Sequence, residues 1–78
     1  TPKARLYPNP SDGKFKVNFQ PHLGQAELTV FDHQGRKMYQ RLLQSNNQVI
    51  ELAAVSPGIY IAIVEQNEQK SYHKLIIH

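Results

Sequence analysis

Along much of the chain, apolar and polar residues take turns. Phe15, Val17 and Phe19 are interleaved with Lys14, Lys16 and Asn18. This period of two puts apolar side chains on one face of a strand and polar ones on the other. The run AELTVF repeats the pattern, setting Ala26, Leu28 and Val30 against Glu27, Thr29 and Phe31. Asp32, His33, Gln34 and Gly35 predict a turn, because Gly35 tolerates positive φ and Asp32 can accept hydrogen bonds from nearby backbone amides. A strand resumes at KMYQRLL, the polar link QSNN leads into VIEL, and Pro57 and Gly58 in VSPG break the chain again. The segment IYIAIVE is apolar on both faces, with Ile59, Ile61 and Ile63 opposing Tyr60, Ala62 and Val64. That pattern predicts a central place in its sheet. Gln66, Asn67 and Glu68 predict a hairpin loop into KSYHKLII.

With a short strand around Arg5 to Tyr7, the total is about seven strands, broken by turns at the spacing of a sandwich. No segment has a convincing helical period. The stretch PGIYIA also resembles the tyrosine corner of immunoglobulin-like domains, where a Tyr lies two residues before a position that carries cysteine in antibody domains. Ala62 occupies that position here. The expected fold is therefore all-β: an immunoglobulin-like antiparallel β-sandwich of about seven strands, without a cross-sheet disulfide.

Length and composition narrow the possibilities. A chain of 78 residues is expected to form a single domain spanning 1–78. Its start at Thr1 rather than Met is expected of a fragment of a larger protein. The absence of cysteine removes disulfides, thiolate nucleophiles and cysteine-ligated metals together. Nine Lys and Arg against six Asp and Glu give a net charge of +3. The basic residues are spread along the chain rather than clustered, so solvated strand faces are expected and a nucleic-acid partner is not. No stretch reaches the ~18 apolar residues of a membrane span, and the first residues lack the apolar region of a signal peptide.

Chemistry-bearing patterns are sparse. His22, His33, His73 and His78 do not make up a full zinc-ligand pattern, so no metal is expected. Ser11, Ser45, Ser56 and Ser71 are expected in loop or surface contexts and carry no nucleophile-elbow motif. No P-loop, dinucleotide fingerprint or calcium loop occurs, and neither a cofactor nor an enzymatic activity is expected.

Three spaced signatures remain. YPNPSDG contains a P-N-P-x-x-G element in Pro8, Asn9, Pro10 and Gly13. LTVFDHQGRKM places Asp32, Gly35 and Arg36 after the strand carrying Leu28 and Val30. SPGIYIAIV supplies a G-x-Y element in Gly58 and Tyr60, and KLIIH ends the chain with Lys74, Leu75, Ile76 and Ile77. In order and spacing these resemble the type A C-terminal sorting domain of the type IX (Por) secretion system, over nearly the whole chain. The chain ends on His78, where that family often shows Lys or Arg. The resemblance implies a noncatalytic signal carried at the C-terminus of a cargo protein. Such a signal passes through the periplasm, is read by outer-membrane components of the type IX machinery, and is usually removed by a sortase-like peptidase. The cargo then reaches the outer membrane, the cell surface or the medium. Some members keep the domain as a docking element, and a retained docking or adhesive module is the alternative here.

Each signature also has a structural reading. The prolines and Gly13 suit a rigid turn, and a preorganised turn is what a receptor would read. Asp32 and Gly35 suit a hairpin turn, and Tyr60 a buried corner residue whose hydroxyl bonds backbone. A carbohydrate- or protein-binding sandwich is a further rival. It would be expected to show exposed aromatics on one sheet face, for which Tyr7, Phe31, Tyr39 and Tyr72 are the candidates. An exposed sheet edge would permit a dimer.

Overall fold

A computed structural model describes residues 4–7, 12–20, 24–52 and 55–78. Its elements are seven strands: β1 (Ala4–Tyr7), β2 (Lys14–Phe19), β3 (Ala26–Phe31), β4 (Lys37–Leu43), β5 (Gln48–Glu51), β6 (Gly58–Gln66) and β7 (Gln69–Ile77). All pairings are antiparallel. They form a three-stranded sheet in the order β1-β2-β5 and a four-stranded sheet in the order β4-β3-β6-β7. The immunoglobulin-like sandwich expected from the alternation is the observed fold.

The core is built by that alternation. Phe15, Val17 and Phe19 of β2 point inward with Ala4 and Leu6 of β1 and Ile50 of β5. From the other sheet they meet Ala26, Leu28 and Val30 of β3, Tyr60, Ala62 and Val64 of β6, and Leu75 and Ile77 of β7. Burying a side chain such as Phe15 or Leu28 contributes about 1.5–3 kcal/mol each. A register slip of one residue on β2 would exchange this set for Lys14, Lys16 and Asn18, so the pattern selects the pairing.

The segment IYIAIVE does lie inside its sheet, between β3 and β7, but its second apolar face is not covered. Ile59 and Ile61 remain 51% and 37% exposed. Among the described residues the sandwich has two layers, and nothing packs on the outward face of β6. Gln66 also departs from expectation. It is the last residue of β6, pairs with Gln69 and is buried, and the loop shrinks to Asn67 and Glu68, both at positive φ. A two-residue turn of this handedness matches the twist of the strands it joins, whereas a longer loop has no such constraint.

Candidate recognition surface

Strand directions bring the described parts of the three signatures to one end of the sandwich. β3 leaves its sheet at Phe31, opposite Ile61, so the Asp32–Arg36 turn lies at the level where β6 begins. Gly58 pairs with Ile77 and Tyr60 with Leu75, which puts the G-x-Y element directly beside the terminal aliphatic strand. In the three-stranded sheet, the Leu52 N–H donates to the Gly13 carbonyl at 2.8 Å, tying the start of β2 to the end of β5. The six residue steps from Leu52 to Gly58 span at most about 20 Å. The sandwich is 34 Å long, so Gly13 and Gly58 share an end. Pro8, Asn9 and Pro10 lie outside the described residues.

Local chemistry explains each position. Gly13 has φ +105, and a Cβ there would come within 3.2 Å of the Leu52 carbonyl oxygen, so glycine is required twice over. The adjoining Asp12 accepts the Lys14 N–H through Oδ1 at 3.2 Å. In the second turn Asp32 is buried, and its Oδ1 accepts the N–H groups of Gln34 and Arg36 at 2.9 Å each. Its Oδ2 accepts from Arg36 Nε at 3.0 Å. The Arg36 backbone N–H is the main influence holding this carboxyl below its ordinary value; burial opposes it, and the Gln34 N–H and the Arg36 guanidinium add to it. Arg36 is thereby bound into the turn while most of its side chain stays in solvent. Tyr60 is a true corner: its ring is buried, and its hydroxyl donates to the Ser56 carbonyl at 2.6 Å.

The terminal strand needs one distinction that the sequence did not supply. Leu75 and Ile77 are buried in the core, whereas Lys74 and Ile76 face outward beside Ile61 and Ile59. The Lys74–Ile77 signature is therefore half core and half surface.

Other side chains hold the opposite end. Buried Gln66 donates through Nε2 to the carbonyls of Gln20 and Gly24, at 2.7 Å each. Asn46 accepts the Phe19 N–H at 2.8 Å, and Asn47 accepts from Asn18 and from the Tyr7 hydroxyl. The Asn47 N–H donates to the Val17 carbonyl at 2.9 Å. The link 44–47 is therefore more than a polar connection, and its signal in the sequence is the Asn-Asn pair, whose side chains readily bond nearby backbone. Ser71 is also not in a loop. It lies half-buried in β7, where its Oγ is 2.9 Å from His73 Nε2. Burial lowers the basicity of His73, and among the described residues its ring has no carboxylate as a hydrogen-bond or ion-pair partner.

Of the aromatic candidates for carbohydrate stacking, Phe31 and Tyr72 share a face, and Tyr7 and Tyr39 lie elsewhere. Tyr7 lies outside the three-stranded sheet, Phe31 and Tyr72 outside the four-stranded one, and Tyr39 packs against the core. Among the described residues no three His, Asp or Glu side chains gather as metal ligands, and no helix is long and apolar enough to cross a membrane.

A family model described as the secretion system C-terminal sorting domain matches residues 5–78. The chain belongs to that family. Membership makes it a sorting signal of the type IX secretion system, associated with that machinery and with export through the outer membrane to the surface or the medium. A search of curated proteins finds no match. The sorting-domain family is noncatalytic, in keeping with a surface made of turns and strand ends.

Proposed function

We propose that this sorting domain is a noncatalytic C-terminal signal, read as a folded module by outer-membrane components of the type IX machinery. Its cargo is a larger secreted protein joined on the N-terminal side, carried through the periplasm, and a sortase-like peptidase removes the domain after translocation. The supporting observation is the convergence of Gly13, the Asp32–Arg36 turn, Gly58, Tyr60 and the end of β7 on one end of the sandwich. Residues up to 64 positions apart in sequence become one composite surface only when the chain is folded (77 − 13 = 64, from Gly13 to Ile77). Pro8, Asn9 and Pro10 are proposed to lead into this surface.

The test fuses the chain to a reporter in a type IX-competent cell and compares it with a version lacking Lys74 to His78. Removing these residues strips Leu75 and Ile77 from the core and leaves Gly58 to Ile61 without their partners on β7. We expect the shortened fusion to stay inside the cell, while the intact fusion appears outside with the mass of the reporter alone. Export of the shortened fusion at the full level would refute the reading. Export of the intact fusion with the domain still attached would favour the retained docking module over removal.

A further inference from the structure

The outer face of the three-stranded sheet carries its positive charge in a line. Lys14, Lys16 and Asn18 point outward from β2, the middle strand, and Arg5 points outward from β1 opposite Asn18. Alternate residues of a strand lie about 6.8 Å apart and neighbouring strands about 4.8 Å apart. The three cations therefore follow one another along a track of roughly 14 Å that drifts from β2 onto β1. Glu51 lies 4.0 Å from Lys14 at the start of this track. Lys16 and Arg5 have no ion-pair partner among the described residues.

One aromatic ring is tied down across this track. The Tyr7 hydroxyl donates to Asn47, which directly precedes β5, on the far side of β2 from β1. The side chain therefore lies over β2 instead of standing up from β1. Tyr7 is opposite Lys16, while Asn47 also accepts from the Asn18 amide at 3.2 Å, so the ring crosses between Lys16 and Asn18. Asn47 holds its place at φ +62, which asparagine tolerates. Tyr7 remains 37% exposed, and Val49, opposite Lys16 on β5, is 55% exposed. The face is thus a strip with cations at a regular interval, an apolar ring between two of them, and an amide beside the ring.

Such a strip complements a linear polyanion of the same interval. We propose that it binds an acidic polypeptide segment in extended form, laid along β2 with acidic side chains at alternate positions. An extended chain repeats every two residues at about 6.8 Å, so acids at i, i+2 and i+4 meet Lys14, Lys16 and Arg5 in turn. The Tyr7 ring lies under the stretch between the second and third acid, and the Asn18 amide offers donors and an acceptor to the backbone of the segment. A lipid surface has no repeat for a single line of cations to match. A nucleic-acid strand is held by a series of stacked bases, for which one ring is too few. The strip is a side of the sandwich, so a segment bound there leaves the Asp32–Arg36 turn and the Tyr60 corner uncovered. Exposed ion pairs are individually weak, so the dissociation constant is on the order of 1 mM at low salt.

Nuclear magnetic resonance titration of the labelled chain with a capped synthetic peptide, Ser-Asp-Thr-Asp-Thr-Asp-Ser, tests this. We expect amide shifts at Arg5, Tyr7, Lys14, Lys16 and Asn18 that saturate together, and none at Gln34 to Arg36 or Ile59 to Ile61. A peptide of the same composition with its three aspartates adjacent can set only two of them on the track, and should bind about threefold more weakly. Lys16→Glu, at an exposed position that spares the fold, should weaken binding of the alternating peptide by at least about tenfold. A peptide with lysine in place of the middle aspartate should reverse that preference, binding Lys16→Glu better than the unaltered chain. Shifts that fall elsewhere, or that do not appear by about 5 mM peptide, would overturn the proposal. Equal binding of the adjacent-aspartate peptide would overturn it as well, leaving attraction between charges without register. So would a middle-lysine peptide with no preference for Lys16→Glu. A short thymidylate strand of equal charge that binds more tightly than the alternating peptide would instead assign the face to nucleic acid, and the proposal would fall.

Discussion

Single side chains at the motif end carry separable roles. Tyr60→Phe keeps the buried ring and loses only the hydroxyl that donates to Ser56, at an expected cost of about 0.5–1.5 kcal/mol. Tyr60→Ala also empties part of the core and should cost about 3–5 kcal/mol, enough to unfold a domain of this size. Urea unfolding of the two variants checks the order; equal midpoints for wild type and Tyr60→Ala would contradict the buried corner. Asp32 and His73 make stability depend on pH in the same direction. The Asp32 carboxyl titrates below its ordinary value of 3.8 in the fold, so its stabilisation is present above that value and is lost as pH falls through the lower, folded one. His73 is held below its ordinary 6.5 by burial, so the unfolded chain takes up a proton there first, and stability declines as pH falls from above 6.5. Urea midpoints measured from pH 8 to pH 3 should therefore fall in two steps. His73→Gln should flatten the upper step and Asp32→Asn the lower one, while Asp32→Asn also lowers the midpoint at neutral pH because Arg36 loses its ionic partner.

At the scale of strands and turns, the hairpin between β6 and β7 offers a clean test of backbone strain. Glu68 sits at φ +63 beside Asn67 at φ +54. Asparagine tolerates this region, but glutamate pays about 1–2 kcal/mol there that glycine does not. Glycine loses roughly 0.5–1 kcal/mol more in chain entropy on folding, so Glu68→Gly should stabilise the domain by up to about 1 kcal/mol. A lowered melting temperature would show that the Glu68 side chain makes a contribution larger than its strain. The strands themselves were legible in the sequence because a two-layer sandwich buries one face of each, and burial writes a period of two into AELTVF and KFKVNF. The turn at Asp32 and the corner at Tyr60 were legible because their chemistry is local: the partners lie at Gln34, Arg36 and Ser56, within four residues. Partnerships across long separations were not. Nothing in the neighbourhood of Gln66 announces that it will reach the carbonyls of Gln20 and Gly24, 46 and 42 residues away. Similarly, the doubly apolar β6 has the same pattern whether a third layer covers it or water does, so its open face emerges only from the assembled sheets.

For the whole molecule, the question is whether recognition rests on shape or on charge. The basic residues look scattered along the chain, yet folding gathers three of them. Arg5, Lys14 and Lys16 all point outward from the three-stranded sheet, where, among the described residues, Glu51, 4.0 Å from Lys14, is their one ion-pair partner. Such a face steers an anionic partner from a distance. The signatures at the far end are different in kind: turns, a buried corner and a strand end held in register by the core. If the machinery reads that end, charge should set how fast the complex forms and shape should set how long it lasts. Affinity of the intact chain for solubilised outer-membrane secretion components, measured from 0.1 M to 1 M salt, separates the two. The Debye length shrinks from about 10 Å to about 3 Å over that range, while apolar and backbone contacts persist. We expect affinity to fall by less than about tenfold across it. Lys14→Ala with Lys16→Ala should slow association and leave the lifetime of the complex unchanged. Leu75→Asp places an unpaired charge at a position with no solvent exposure, beside the Tyr60 corner, and should abolish binding by unfolding the end of the sheet. Ile76→Asp, on the outward face, should leave the fold intact and so reports whether that face contacts the machinery. Collapse of affinity with salt, together with a folded double-lysine variant that no longer binds, would make the recognition electrostatic and this mechanism wrong.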